Sequence, residues 1–281
     1  KVFAEVLSFN GIAVQLSNKI TPTPVVSYFV KEKNLTAGVM ITASHNPSKY
    51  NGVKFKANYG GPFLTNETNT VSKLTEKVDV DKVKRNKTYI ELVDFTIPYV
   101  KQLEKLIDFN SIRESNIRVL IDSMSGAGQT LLEEILNSHN CKAETIYKTA
   151  EPYFSGRYAE PIEKNLKPLK EALIKDENYS FGAATDGDAD RVGILLENGE
   201  WLSAQETILM LTDFIVNRKN ICGDIVKTAS VTSLLNKHFG DNNRKVKNVQ
   251  VGFKYVCEQM LNGDIALGVE ESGGYGYGIH M

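Results

Sequence analysis

The 281-residue sequence is short of cysteine, of any excess charge and of long apolar runs. Its three cysteines, Cys141, Cys222 and Cys257, are odd in number and show no CxxC spacing. That excludes a disulfide frame or a cysteine zinc site, and it reads as buried or incidental thiols of a reducing, cytoplasmic compartment. The 33 basic and 34 acidic residues give a formal net charge of −1, so no general pull toward nucleic acid or an anionic membrane exists. The longest apolar runs, such as Val192 to Leu196 and Ile208 to Leu211, fall far short of the ~20 residues that span a bilayer. No signal peptide is visible. The chain opens on Lys1 inside a helical pattern and stops at Met281 after a strand and a glycine-rich loop, so it is expected to be cut at both ends. What remains is an ordinary soluble composition, 42% hydrophobic and 24% charged, long enough for two or three domains.

Strand and helix signals alternate along the chain. An opening helix, "VFAEVLSFNG", closes on Gly11; "IAVQLS" and "AGVMI" read as strands, with a helix started by Pro24 between them. Apolar spacing predicts helices in "ETNTVSKLTEKV" and "IPYVKQLEKLID". Further on, the strands "IRVLID", "KAETIYK", "FGAAT" and "RVGILL" alternate with "QTLLEEILNS" and "NLKPLKEALIKD". Ser203 and Glu206 form a capping box before "TILMLTDFIV". The strands "DIVKTAS", "KNVQV" and "IALGVE" alternate with two more helices. Such alternation predicts parallel α/β sheets. We place the breaks near Ile107 and Glu200, giving domains 1–107, 108–200 and 201–281. Sheets of this kind bind ligands at the carboxyl ends of their strands, which singles out the loops after Ile41, Ile121, Thr185 and Val269.

The loop "TASHNPSKYNGVKFK", Thr42 to Lys56, ends a strand with a serine and turns again to deliver a lysine. Its Ser, Asn, Pro and Gly are also the ordinary residues of turns. A second loop, "TDGDADR", alternates Asp186, Asp188 and Asp190. Three carboxylates this close repel unless a cation sits among them, and hard oxygen ligands select Mg²⁺, Ca²⁺ or Mn²⁺. An EF-hand is disfavoured because its sixth position is Arg191 rather than glycine, and because "VGILL" reads as a strand. A Mg²⁺ site sharing its sphere with a phosphate oxygen fits better, and a phosphoserine beside it would store a transferable phosphoryl group. The third loop, "GVEESGGYGYGIH", offers Glu270 and Ser272, groups suited to sugar hydroxyls. "VGFK" places Lys254 near the same edge.

These loops resemble those of the α-D-phosphohexomutases, the family of phosphoglucomutase and phosphomannomutase. "TASHNPSKYNGVKF" is similar to the phosphoserine loop, "DGDADR" to the metal loop and "GVEESGG" to the sugar-binding loop, in the family's order across nearly the whole chain. The resemblance implies consecutive α/β domains with mixed, mostly parallel sheets sandwiched by helices. It implies that Ser44 carries the phosphoryl group and that Asp186, Asp188 and Asp190, with a Ser44 phosphate oxygen, hold Mg²⁺. Glu270, Ser272 and Lys254 would bind the sugar. His45, Lys54 and Arg191 would line the reacting centre, with Lys54 the preferred general acid/base and His45 the second choice. The implied reaction moves a phosphate between the 1- and 6-positions of glucose or mannose through hexose 1,6-bisphosphate, which also acts as activator. Hexose phosphates are the expected partners, without nucleic acid or membrane, and the sequence carries no sign of oligomeric state. Set against the resemblance, the sequence is expected to lack the family's fourth domain, with its phosphate-binding loop, and the opening strand of its first domain. As it stands the chain is therefore expected to be a poor catalyst or inactive. Two other readings stay open: a Mg²⁺-dependent sugar phosphatase, and a sugar-phosphate-binding module without catalysis.

Overall fold

A computed structural model of the chain describes residues 1–241 and 243–280; Met281, where the sequence reading ends its third domain, lies outside them. The first region runs α1 (Val2–Phe9), β1 (Val14–Ser17), α2 (Thr23–Glu32), β2 (Ala37–Ile41), β3 (Val53–Ala57), α3 (Thr65–Thr75), β4 (Ile90–Val93) and α4 (Thr96–Leu106). Gly11 follows α1 at φ +77°, the left-handed conformation that ends a helix cheaply in glycine. Pro24 sits in the first turn of α2, where its missing N–H costs nothing. β1 pairs parallel with β4, and β2 pairs antiparallel with β3. Val25, Val26 and Phe29 of α2 are buried with Phe95, whose ring stacks on Phe29 at 4.0 Å. Tyr99 of α4 packs against the same cluster, so α4 leans on the first region.

The second region holds α5 (Phe109–Glu114), β5 (Arg118–Asp122), α6 (Leu131–Ser138), β6 (Lys142–Ile146), α7 (Lys167–Lys175), β7 (Phe181–Thr185), β8 (Val192–Leu196) and β9 (Trp201–Leu202). Its sheet has the order β6-β5-β7-β8-β9, parallel up to β7 and antiparallel beyond it. β5 is apolar along its middle because both faces are covered. Leu120 joins a core with Leu169 and Leu173 of α7, while Val119 and Ile121 pack on the other side with Leu136 of α6. β9 carries this sheet just past Glu200. β8 pairs along its length with β7, so the run after Arg191 is strand and cannot complete an EF-hand loop.

The third region comprises α8 (Ala204–Asp213), continued by a π-helical turn, β10 (Asp224–Thr228), α9 (Leu234–Phe239), β11 (Val246–Val249), α10 (Phe253–Asn262), β12 (Ile265–Glu270) and β13 (Gly274–Tyr277). The capping box is present: Glu206 N–H donates to Ser203 Oγ, and Ser203 N–H donates to Glu206 at 2.9 Å. The sheet order is β11-β10-β12-β13 with only β13 antiparallel. Ile225 faces a core with α8 and α9, and Val226 faces α10.

Three consecutive α/β regions are thus observed, as the resemblance implies; the sheets of the second and third are mixed, and the first holds one parallel and one antiparallel strand pair. Four strands, β3, β4, β9 and β13, replace what reads as loop in the sequence. Among the described residues the cysteines are free, Cys141 and Cys257 buried and Cys222 exposed. No helix of the described residues is long and apolar enough to cross a membrane.

Candidate active site

The site forms where strand ends of the first two regions meet. β2 delivers Ser44, which adopts φ +54°, a conformation that costs an L-residue energy and concentrates at functional sites. Its N–H donates to Thr42 Oγ1 at 2.7 Å, and Asn46 Nδ2 donates to the Ala43 carbonyl at 2.9 Å, so the turn is held by its own polar side chains. β7 delivers the second loop, with Ala189 also left-handed at φ +55°. The two loops touch at Gly187: a Cβ there would collide with the Ser44 carbonyl oxygen. Glycine at 187 is therefore a packing requirement of the site.

The Ser44 hydroxyl donates to Asp186 Oδ2 at 2.9 Å. Asp186 Oδ1 accepts the N–H groups of Asp190 at 2.9 Å and Arg191 at 3.2 Å. Asp188 Oδ2 accepts from Thr23 Oγ1 at 2.7 Å and from Lys54 Nζ at 2.7 Å, while Lys54 reaches Asp190 Oδ2 at 3.0 Å. The Thr23 N–H also donates to the Asp188 carbonyl, pinning the start of α2 to this loop. His45 Nδ1 lies 3.4 Å from Ser44 Oγ, and its Nε2 lies 3.8 Å from Glu160. Arg191 Nε is 3.9 Å from Asp190.

Burial pushes the Asp186 carboxyl up to about 8, and the charges of Asp190 and Asp188 add to the effect. Burial also opposes ionisation of Asp188, but Lys54 and the Thr23 hydroxyl outweigh it and hold that carboxyl below the usual range. Lys54 shows the converse balance: burial favours the neutral amine, yet Asp190 and Asp188 hold it above its ordinary value. His45 is lowered by burial, with the Arg191 charge adding to it.

One oxygen from each of Asp186, Asp188 and Asp190 lies within 4.8 Å of the others. Asp188 Oδ1 is buried without a hydrogen-bond partner among the described residues. An all-carboxylate donor set with an orphaned buried oxygen fits a hard divalent cation such as Mg²⁺.

A cleft of about 470 Å³ opens beside this centre, between α2 and β3 on one side and α10, β12 and β13 on the other. Lys54, Asp190, Arg191, Lys254 and Glu270 all line it, whereas Ser44, His45 and Ser272 are not among its described lining residues. Glu270 is buried and accepts from Ser272 Oγ at 3.0 Å. Lys254 stands in the first turn of α10, with its ammonium 4.8 Å from the Tyr255 ring. The third loop docks on the second region through the Val192 N–H, which donates to the Gly273 carbonyl at 3.2 Å. Gly273 has φ +89°, and a Cβ there would lie 2.8 Å from the Val192 carbonyl oxygen. Sequence reasoning misses Thr23, Glu160 and Lys56; only the Thr-Pro helix start hinted at the first.

Family models for the phosphoglucomutase/phosphomannomutase alpha/beta/alpha domains I, II and III match residues 1–82, 97–199 and 204–281. The chain belongs to the α-D-phosphohexomutase family. Among its relatives, a phosphoglucomutase/phosphomannomutase of Thermococcus kodakarensis is 31% identical over 256 residues, 91% of this chain and 56% of that protein. A phosphoglucosamine/phosphogalactosamine mutase of Sulfurisphaera tokodaii is 31% identical over 267 residues, 93% of this chain and 58% of that protein. The crystal structure of a candidate phosphomannomutase from Thermus thermophilus superposes with a TM-score of 0.88 at 34% identity, over all of this chain and 63% of that one. The chain thus spans little more than half the length of these phosphohexomutase relatives.

Proposed function

We propose that the intact protein is a phosphohexomutase interconverting the 1- and 6-phosphates of glucose or mannose, with Ser44 as phosphoryl carrier. The observation that carries this reading is the Ser44 hydroxyl held 2.9 Å from Asp186 within a three-carboxylate cluster. A serine so placed is held against a buried carboxylate cluster rather than left in solvent. Its relatives' names support the reaction class, and those named for phosphoglucosamine leave a third sugar to be tested beside glucose and mannose.

In the proposed transfer, a sugar hydroxyl oxygen forms a bond to phosphorus as the bond to Ser44 Oγ breaks, giving hexose 1,6-bisphosphate. After the bisphosphate turns around, the reverse step returns its other phosphate to Ser44. The attacking hydroxyl must lose a proton and Oγ must gain one. Lys54 is our preferred acid/base group, its charge fixed between Asp188 and Asp190, which hold its proton more tightly than a free lysine does. His45, lowered by burial and lying beside Oγ, is suited to accept a proton. Arg191 offers a further cation near the transferring group, while Glu270 and Lys254 of the cleft, with Ser272 hydrogen-bonded to Glu270, orient the sugar. Mg²⁺ held by Asp186, Asp188, Asp190 and a Ser44 phosphate oxygen would neutralise the phosphoryl charge.

The test is the mass of the Ser44 peptide after the intact protein meets glucose 1,6-bisphosphate and Mg²⁺. A stable phosphate that passes to added glucose 1-phosphate is the expected result. Release to water instead would make the protein a sugar phosphatase, and a bare Ser44 would make it a binding module.

A further inference from the structure

Lys56 is a buried cation with no assigned work. It stands on β3 two residues after Lys54, hence on the same face of the strand. Only 8% of its surface is exposed, and it lines the cleft opposite Cys257 of α10. Among the described residues its ammonium makes no hydrogen bond or ion pair, and it is not one of the wholly buried unpartnered atoms, so its tip opens to the cleft. Burying a charge without a partner is costly. Burial, with the neighbouring Lys54 charge adding to it, accordingly lowers its pKa.

None of the groups around it supplies the missing counterion. Asp190 is already bound to Lys54, and Glu270 is held by Ser272. The Cys257 thiol is pushed up to about 11 by burial, so it is neutral at physiological pH. The same cleft also carries Lys31 and Lys254. Its cations outnumber its carboxylates, and Lys56 is the most buried of those that, among the described residues, have no carboxylate partner.

We infer that Lys56 is a phosphate-binding residue of the cleft, its ammonium donating to an anionic oxygen of a phosphorylated sugar on the side facing α10. A sugar phosphate carries the charge that the protein withholds, and its entry would pair the ammonium without displacing Lys54 from Asp188 and Asp190. The inference rests on the phosphohexomutase reading for its ligand and adds a residue to which that reading gives no role.

Lys56→Met keeps the aliphatic stem and removes the charge. In the intact protein, calorimetric titration with glucose 1-phosphate should show binding about tenfold to a hundredfold weaker, the loss expected for a hydrogen bond to a charged group. Thermal unfolding of the ligand-free variant should stay level or rise, because an unpaired buried charge is gone. Unchanged affinity in a folded variant overturns the assignment of Lys56 alone. A wild-type protein that binds none of glucose 1-phosphate, mannose 1-phosphate and glucosamine 1-phosphate overturns the mutase reading and this inference with it. A second measurement needs no variant: glucose 1-phosphate should slow acetylation of Lys56 by acetic anhydride in the wild-type protein. Labelling that ignores the sugar phosphate would count equally against the assignment.

Discussion

The Ser44 loop and the Glu270 loop both end strands and serve one cleft, yet their polar groups are treated differently. On the Ser44 side almost every functional group is already engaged by protein. Ser44 bonds Asp186, Lys54 bridges Asp188 and Asp190, and Thr23 secures Asp188. On the sugar side Glu270 and Ser272 bond each other, and the further bonds that fix the loop come from other residues. Glu271 is held by Thr228 and Ser230, and the Gly273 carbonyl is held by Val192. Lys254 and Lys56 meanwhile face the cleft with no carboxylate partner among the described residues. Groups that stabilise a transferring phosphoryl must be in place before the reaction, since reorganising them would be paid during it. Groups that read the sugar can wait for it.

The strongest way to break this comparison is to remove the carrier. Ser44→Ala should abolish phosphoryl uptake from glucose 1,6-bisphosphate, read by intact mass. Uptake at normal stoichiometry would move the acceptor elsewhere. Next in size is Asp188→Asn, which removes one carboxylate charge and leaves Lys54 with Asp190 alone. We expect Mg²⁺ affinity to fall on the order of 100-fold in a calorimetric titration, at the upper end of losses seen around metal sites. Unchanged affinity would mean that the cluster is an ion-pair network and not a cation site.

Glu270→Gln sharpens the contrast from the other side. Turnover should fall about 10- to 100-fold, the range of one charged hydrogen bond to substrate, while the Ser44 phosphate remains. Equal loss of both would make Glu270 part of the loop's framework, and the two sides of the cleft would no longer differ in kind.

The same contrast explains what could be read from the sequence. Ser44, Asp186, Asp188 and Asp190 are legible because each sits at the end of an apolar run, where an exposed hydroxyl or a row of carboxylates has no packing reason to be. Lys54 is legible by spacing, but its strand is not. Val53–Ala57 alternates V-K-F-K-A, itself a strand signal, but the turn-rich stretch before it makes it read as loop until its pairing with β2 is seen. β13, Gly274–Tyr277, has low strand propensity and exists only because β12 offers an edge. Glu160 beside His45 and Thr23 beside Asp188 are contacts between residues far apart in sequence, and no local pattern encodes them.

Thr23 gives the smallest and most discriminating test. Its hydroxyl is one of two donors on Asp188 Oδ2; the other is Lys54, and the backbone bond from Thr23 N–H to the Asp188 carbonyl does not depend on the side chain. Thr23→Val keeps the β-branched shape and the backbone bond, so α2 should begin where it does now. The loss is one hydrogen bond to a carboxylate that keeps its stronger partner, worth about 1 kcal/mol. Denaturant unfolding should register that loss, and Mg²⁺ affinity should fall only a few-fold, by roughly the same free energy. A much larger fall in Mg²⁺ affinity at unchanged stability would show that the hydroxyl aims the Asp188 carboxylate rather than merely tying α2 to the loop. The engaged side of the site would then owe its geometry to the first helix as much as to the aspartates themselves.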